Sequence, residues 1–231
     1  MNTVLVVEDD PTLARALMVN LRARGYEATH VTTGKQALQV CADHAINVVL
    51  LDLGLPDISG MEVIDGIRGW SQIPIIVITA RHEVEAKIEA LDRGADDFVT
   101  KPFALGEVLA RMRAALRRAQ PGADTAVESQ PQVETGDGRL RIDLATTQVW
   151  VNGEVVRLTP TEWSVLETLV KHRGALVRQR DLLSSVWGPK YQKETNYLRV
   201  YISQLRNKLE ADPSRPMHLI TELGMGYRFV P

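Results

Sequence analysis

Residues able to do phosphoryl chemistry stand at the ends of short apolar runs. "VVEDD" places Glu8, Asp9 and Asp10 after Val4–Val7, and "LLDLGLPD" places Asp52 after Val48–Leu51. "ITA" places Thr79 after Ile75–Ile78, and "DFVTKPF" places Lys101 just beyond Phe98 and Val99. Carboxylates sharing a partly desolvated cleft repel one another, and a hard divalent cation with oxygen ligands relieves that repulsion. The expected ion is Mg²⁺. Beside it Asp52 has the chemistry of a nucleophile toward a phosphoryl donor, because phosphoryl transfer depends mainly on positioning and charge neutralisation. Lys101 supplies a further cation, and the Thr79 hydroxyl a donor to a phosphoryl oxygen. The product carries about −1.5 to −2 charge, enough to reorganise nearby loops. Asp10, followed by Pro11, reads equally well as a helix N-cap.

These residues meet only if the runs are neighbouring strands. Continuous apolar runs suit strands covered on both faces, and here they alternate with helical patterns such as the stripe Leu13, Leu17 and Leu21. That alternation predicts a parallel α/β sheet, whose ligands bind beyond the carboxyl ends of the strands. The segment "AQPGADTAVESQPQVETGDG" has almost no large apolar residue, which predicts a flexible linker over residues 119–135 between domains at 1–118 and 136–231. Beyond it "LRIDLATTQVWVNGEVVRL" alternates with period two around Asn152-Gly153, a hairpin signal. Helical patterns follow over Thr159–Lys171, Gln179–Val186 and Thr195–Glu210, and "LITELGMGYRFV" ends the chain with two β-prone runs. This second half reads as an α+β winged helix.

Composition narrows the class. With 231 residues, 45% hydrophobic and 24% charged, the chain is long enough for two ordinary cores. The single Cys41 excludes an internal disulfide framework and fits a reducing cytoplasm. "MNTVLVVEDD" has no basic n-region and too short an apolar run for a signal peptide or a membrane span. Net charge divides as −3, −3 and +4 over residues 1–118, 119–135 and 136–231, so the two halves are expected to meet different partners.

The four strand-end motifs, in this order over residues 1–118, resemble the receiver domain of two-component response regulators. The resemblance implies a flavodoxin-like, doubly wound five-stranded sheet, with Asp52 phosphorylated by a cognate sensor histidine kinase. It implies that Asp9 and Asp52 bind Mg²⁺ directly, that Glu8 acts through water, and that the Gly54 carbonyl is also a ligand. Thr79 and Phe98 match its switch pair, and Lys101-Pro102 matches a bond that is cis in the family.

In "TNYLRVYISQLRNKLE", Leu198, Ile202, Leu205 and Leu209 share a face, opposite Asn196, Val200, Ser203, Gln204 and Asn207. Amides and hydroxyls suit base edges in a major groove, Val200 a thymine methyl, and the flanking Arg199 and Arg206 phosphates. "LTPTEW", "VWG", "YLRVYISQLRNKLE" and "GMGYRF" resemble the winged-helix effector of the OmpR/PhoB subfamily. "VWGPKYQ" and "DPSRPMHLITELGMGYRF" are most similar to its Kdp-type regulators of potassium transport. The resemblance implies binding to double-stranded promoter DNA through a recognition helix at Thr195–Glu210 and a wing at Gly224–Tyr227. It implies a loop at Gly188–Glu194 that meets RNA polymerase, with Lys190, Lys193 and Arg228 at phosphates. Leu223 stands where that wing is often basic.

The same subfamily implies a homodimer of phosphorylated receivers. Carried over, Lys87 meets Glu107, Asp97 meets Arg111 and Asp96 meets Arg118 across a two-fold, around Ile88, Leu91 and Ala110. The expectation is therefore a phosphorylation-controlled transcription regulator rather than an enzyme. The alternatives are a metal-dependent phosphotransferase passing through an aspartyl-phosphate, and a protein-binding adaptor.

Overall fold

The computed structural model describes residues 2–80, 84–119, 132–191 and 195–231, and the chain divides into two compact units, Met1–Ala119 and Gln120–Pro231. The first alternates β1 (Thr3–Val7), α1 (Pro11–Arg22), β2 (Glu27–Val31), α2 (Gly34–Asp43), β3 (Val48–Asp52), α3 (Gly60–Arg68), β4 (Ile75–Thr79), α4 (Val84–Asp92), β5 (Asp97–Thr100) and α5 (Leu105–Arg118). The strands form one parallel sheet in the order β2-β1-β3-β4-β5, so the order switches between β1 and β3. Residues of β3 and β4 are buried throughout, which explains their unbroken apolar runs. β2 is an edge strand with the sequence EATHV and carries no such run. On one face Val4, Val6, Leu50, Ile76 and Ile78 pack with Leu17 and Leu21 of α1 and with Val108, Leu109 and Met112 of α5. Each such buried side chain contributes about 1.5–3 kcal/mol.

Asp52 and Thr79 are the last ladder residues of their strands, paired with Ile78 and Thr100 respectively. Their placement is therefore fixed by backbone pairing. Asp10 resolves as a cap: its Oδ1 accepts from the backbone of Thr12 at 2.7 Å and of Leu13 at 3.0 Å, with Pro11 opening α1.

The second unit opens with a four-stranded antiparallel sheet of β6 (Gln132–Glu134), β7 (Leu140–Asp143), β8 (Gln148–Val151) and β9 (Glu154–Val156), joined in that order. Asn152 and Gly153 turn β8 into β9 with φ of 53° and 85°, the left-handed conformations a two-residue hairpin of this type requires. Then come α6 (Pro160–Lys171), β10 (Val177–Arg178), α7 (Gln179–Trp187), a 3₁₀ turn at Pro189–Tyr191, α8 (Thr195–Leu209), β11 (Leu219–Glu222) and β12 (Gly226–Phe229). β12 lies between β10 and β11 in a three-stranded sheet. A capping box of Thr159 and Glu162 starts α6, and Glu162 also accepts from Lys208 Nζ at 2.6 Å, tying that start to the end of α8.

One boundary needs correction. Residues 132–135, expected in the linker, belong to this unit: β6 pairs with β7, Val133 is buried, and the Thr135 backbone donates to Leu140. A short polar stretch acquires order here by borrowing a partner strand rather than by its own apolar content. The rest of the expected linker, from residue 120 to 131, lies outside the described residues. No helix among the described residues is long and apolar enough to cross a membrane.

Candidate functional site

At the carboxyl ends of β1 and β3, one oxygen each from Glu8, Asp9 and Asp52 lie within 4.8 Å of one another. Glu8 is 1% exposed and Asp52 9%, whereas Asp9 is open to solvent. Lys101, following β5, sets its ammonium 2.6 Å from Asp52 Oδ2 and 2.7 Å from Glu8 Oε2. The Lys101 backbone donates to the Thr79 carbonyl, and the Lys101-Pro102 bond is cis. Burial raises the pKa of Glu8 despite the opposing hydrogen bond from Lys101. Burial alone would lower the pKa of Lys101, but its hydrogen bonds to Asp52 and Glu8 outweigh that and raise it. The other Asp52 oxygen accepts from the Gly54 backbone at 3.1 Å, and the exposed Gly54 lies on the loop leaving β3. Three carboxylates, of which Asp9 is open to solvent, form an all-oxygen donor set that fits a hard divalent cation. His30 was not foreseen from the sequence: its Nε2 lies 2.8 Å from the Glu8 carbonyl, so the edge strand β2 braces the acidic turn.

Around the rim, Thr79 is 2% exposed and Phe98 is half-buried, with the Lys87 ammonium 4.8 Å from its ring centroid. Several expected interface residues are used inside the chain. Asp96 is 1% exposed and accepts from Arg68 Nη2 at 2.9 Å and from the Ile75 backbone at 3.0 Å. Asp96, expected opposite Arg118 of a second copy, thus already ties the start of β4 to Arg68 within its own chain through Oδ2. Leu91 is buried, and Asp97 pairs with Arg111 of its own chain at 2.8 Å, with Arg111 also on Glu107 at 2.6 Å. Glu107 and Ala110 are exposed, and Lys87, Ile88, Arg111 and Arg118 half-buried.

In the second unit α8 presents Asn196, Arg199, Ser203 and Asn207 to solvent, with Gln204 half-buried. Val200 is corrected: it is 6% exposed, because α8 packs against both α6 and α7 and buries a wider stripe than one amphipathic face. Arg206 is corrected too. Its Nε donates to the Leu219 carbonyl at 2.9 Å and its Nη2 to Thr221 Oγ1 at 2.8 Å, so it braces α8 on β11. Tyr227, expected in the wing surface, is 4% exposed, and burial raises its hydroxyl pKa. Arg228 holds Glu222 and the Gly174 carbonyl, while Leu223 stands 89% exposed at the wing tip. Lys193 and the Lys190 side chain lie outside the described residues. Two arginines that the sequence reading passed over, Arg178 and Arg180, line an open groove with Thr195, Gly224 and Met225; only the spacing in "VRQRD" hinted at them.

Fold and site together define a receiver: a parallel sheet with a cation-ready carboxylate cluster at its switch point, followed by a winged-helix domain. Residues 4–113 match the family model described as response regulator receiver domain, and residues 153–229 that described as transcriptional regulatory protein, C terminal. The chain belongs to the response regulators of the OmpR/PhoB type, transcription regulators controlled by phosphorylation. It is 53% identical to the transcriptional regulatory protein KdpE of Mycobacterium tuberculosis over 99% of both chains. It is 44% identical to the KDP operon transcriptional regulatory protein KdpE of Escherichia coli over the full length of both. Among solved structures it resembles the Thermotoga maritima OmpR/PhoB homologue DrrB, with a TM-score of 0.52 and 29% identity over all of both chains.

Proposed function

We propose that a cognate sensor histidine kinase transfers a phosphoryl group to Asp52 in a Mg²⁺-dependent reaction, and that the phosphorylated chain dimerises and binds promoter DNA of a Kdp-type potassium-uptake operon. The observation that carries this is the placement of Asp52 at a strand end, with Glu8 and Asp9 on one side and Lys101 on the other. Asp9, Asp52 and the Gly54 carbonyl would hold the ion. Glu8, whose oxygens already meet Lys101 and the Asp10 backbone, suits contact through water. The bound ion supplies charge neutralisation. A carboxylate oxygen of Asp52 attacks phosphorus, and the bond to the donor breaks with its electron pair leaving on the donor. Lys101 stays beside the new phosphoryl oxygens, and Thr79 follows as the group that senses them.

For the output, Asn196, Ser203, Gln204 and Asn207 read base edges, with Arg199, Arg178 and Arg180 at phosphates. The loop from Gly188 to Glu194 is offered to RNA polymerase. The full-length likeness to KdpE proteins supports the potassium assignment, and the carboxylate cluster beside Lys101 supports a phosphoacceptor. The test is labelling with a small phosphodonor, with and without Mg²⁺, followed by gel shift on the DNA upstream of a potassium-transport operon. Labelling that needs Mg²⁺, vanishes in Asp52→Asn and tightens DNA binding is expected. Undiminished labelling of Asp52→Asn would overturn the assignment.

A further inference from the structure

The loop from Leu53 to Ser59 carries the Gly54 carbonyl, yet little burial holds it. Gly54, Pro56, Asp57 and Ser59 are exposed, and only Leu53 is fully buried. Its attachments are polar. Gly54 N–H donates to Asp52 Oδ1, and Gly60 N–H donates back to the Leu53 carbonyl at 3.2 Å. Ser59 N–H donates to Glu62 Oε2 at 2.9 Å, and a further attachment reaches across the chain: Asp57 Oδ1 accepts from Gly34 N–H at 2.8 Å and Oδ2 from Lys35 N–H at 3.0 Å. Beside it a side chain at position 34 would come within 2.5 Å of Ile58 Cγ1, so glycine lets the loop lie directly against the start of α2.

We propose that Asp57 is a positioning residue for the metal-binding loop, clamping it to the first turn of α2 so that the Gly54 carbonyl is held in place before Mg²⁺ arrives. This rests on the reading of Glu8, Asp9 and Asp52 as the Mg²⁺ site. Although Asp57 is acidic and on the same loop, its carboxylate is committed to α2. The simpler role, capping α2 for stability, is already filled by Thr33, whose hydroxyl accepts from Gln36 N–H. Asp57 takes the two preceding N–H groups from 22 and 23 residues away, which makes it a cross-link between helix and loop. Mg²⁺ requires near-ideal octahedral geometry, so a backbone ligand on an unclamped loop must be ordered at the moment of binding, at a cost in affinity.

The experiment titrates Mg²⁺ into the full chain by calorimetry, and separately measures amide hydrogen exchange in the metal-free protein, for wild type, Asp57→Ala, Asp57→Asn and Thr33→Ala. Asp57→Ala is expected to raise the Mg²⁺ Kd roughly three- to tenfold and to deprotect the Gly54 and Gly60 amides, with Asp57→Asn between it and wild type. Thr33→Ala removes a cap from the same helix without touching the loop, and leaves the Kd unchanged while lowering the unfolding midpoint. An unchanged Kd in Asp57→Ala, or an equal rise in Thr33→Ala, overturns the proposal. A wild-type chain that binds no Mg²⁺ overturns the metal reading instead, while the metal-free exchange still reports whether Asp57 clamps the loop.

Discussion

Lys101 shows how one cation serves both stability and chemistry. Its ammonium holds Asp52 and Glu8 together where side-chain exposure is 22% for the lysine, 11% for Asp52 and 2% for Glu8. Removing it strands two carboxylates in a largely buried place, so Lys101→Met should destabilise the metal-free receiver by about 1–3 kcal/mol, less than a fully buried pair would lose. Added Mg²⁺ should restore part of that loss, read as urea midpoints with and without the ion. A metal-independent deficit would mean that the cation acts through packing alone. Asp137 offers a pH prediction. The Thr135 hydroxyl, then the Arg139 N–H and His218, lower its pKa from 3.8 to about 2. A depressed carboxyl contributes stability that is fully present above about pH 4 and is lost as pH falls through about 2. The second unit should therefore lose stability more steeply between pH 4 and 2 in wild type than in Asp137→Asn, followed by tryptophan fluorescence.

At the scale of the element, α8 divides its side chains between neighbours and solvent, and the division decides which substitutions report on DNA. Ser203→Ala and Asn207→Ala remove solvent-exposed groups, so they should relax sequence preference with folding intact. Arg199→Ala should weaken binding to all sequences alike and flatten the salt dependence. Arg206→Ala and Val200→Ala belong to a different category. They remove a brace to β11 and a buried side chain, and Val200→Ala should cost about 1–3 kcal/mol of stability. Binding measured well below the unfolding midpoint separates the two groups: a salt slope altered by Arg206→Ala would return that residue to the DNA surface.

For the whole molecule, the prediction concerns association of phosphorylated chains. Charge reversal at Asp97 would test folding rather than association, since that carboxylate is 1% exposed and already paired with Arg111. The expected pair of Lys87, half-buried, with Glu107, exposed, offers charges that can be reversed at the surface. Self-complementarity across a two-fold then requires that Glu107→Lys abolish the phosphorylation-dependent dimer, and that Lys87→Glu added to it restore some of the mass in sedimentation. Full dimerisation of Glu107→Lys would place the contact elsewhere. The difference in charge between the halves, −3 for residues 1–118 and +4 for 136–231, fits a receiver that meets proteins and an output domain that meets a polyanion.

Sequence alone determined the strand ends and hence the cluster. A parallel sheet brings the carboxyl ends of its strands to one rim, so Glu8, Asp9, Asp52, Thr79 and Lys101 could be assembled from apolar runs and the residues that end them. The Asn152-Gly153 hairpin and the reading of Asp10 before Pro11 as a cap were legible for a similar reason: each depends on residues a few positions apart. Contacts made across the fold were not. β2 as a polar edge strand, β6 inside the expected linker, Val200 turned inward between two helices, Arg206 and Asp96 spent on backbone groups, and Asp57 bound to α2 all depend on which surfaces meet. Periodicity tells which face of an element is apolar, but only tertiary packing decides how wide a stripe is covered and which partner satisfies each buried polar group.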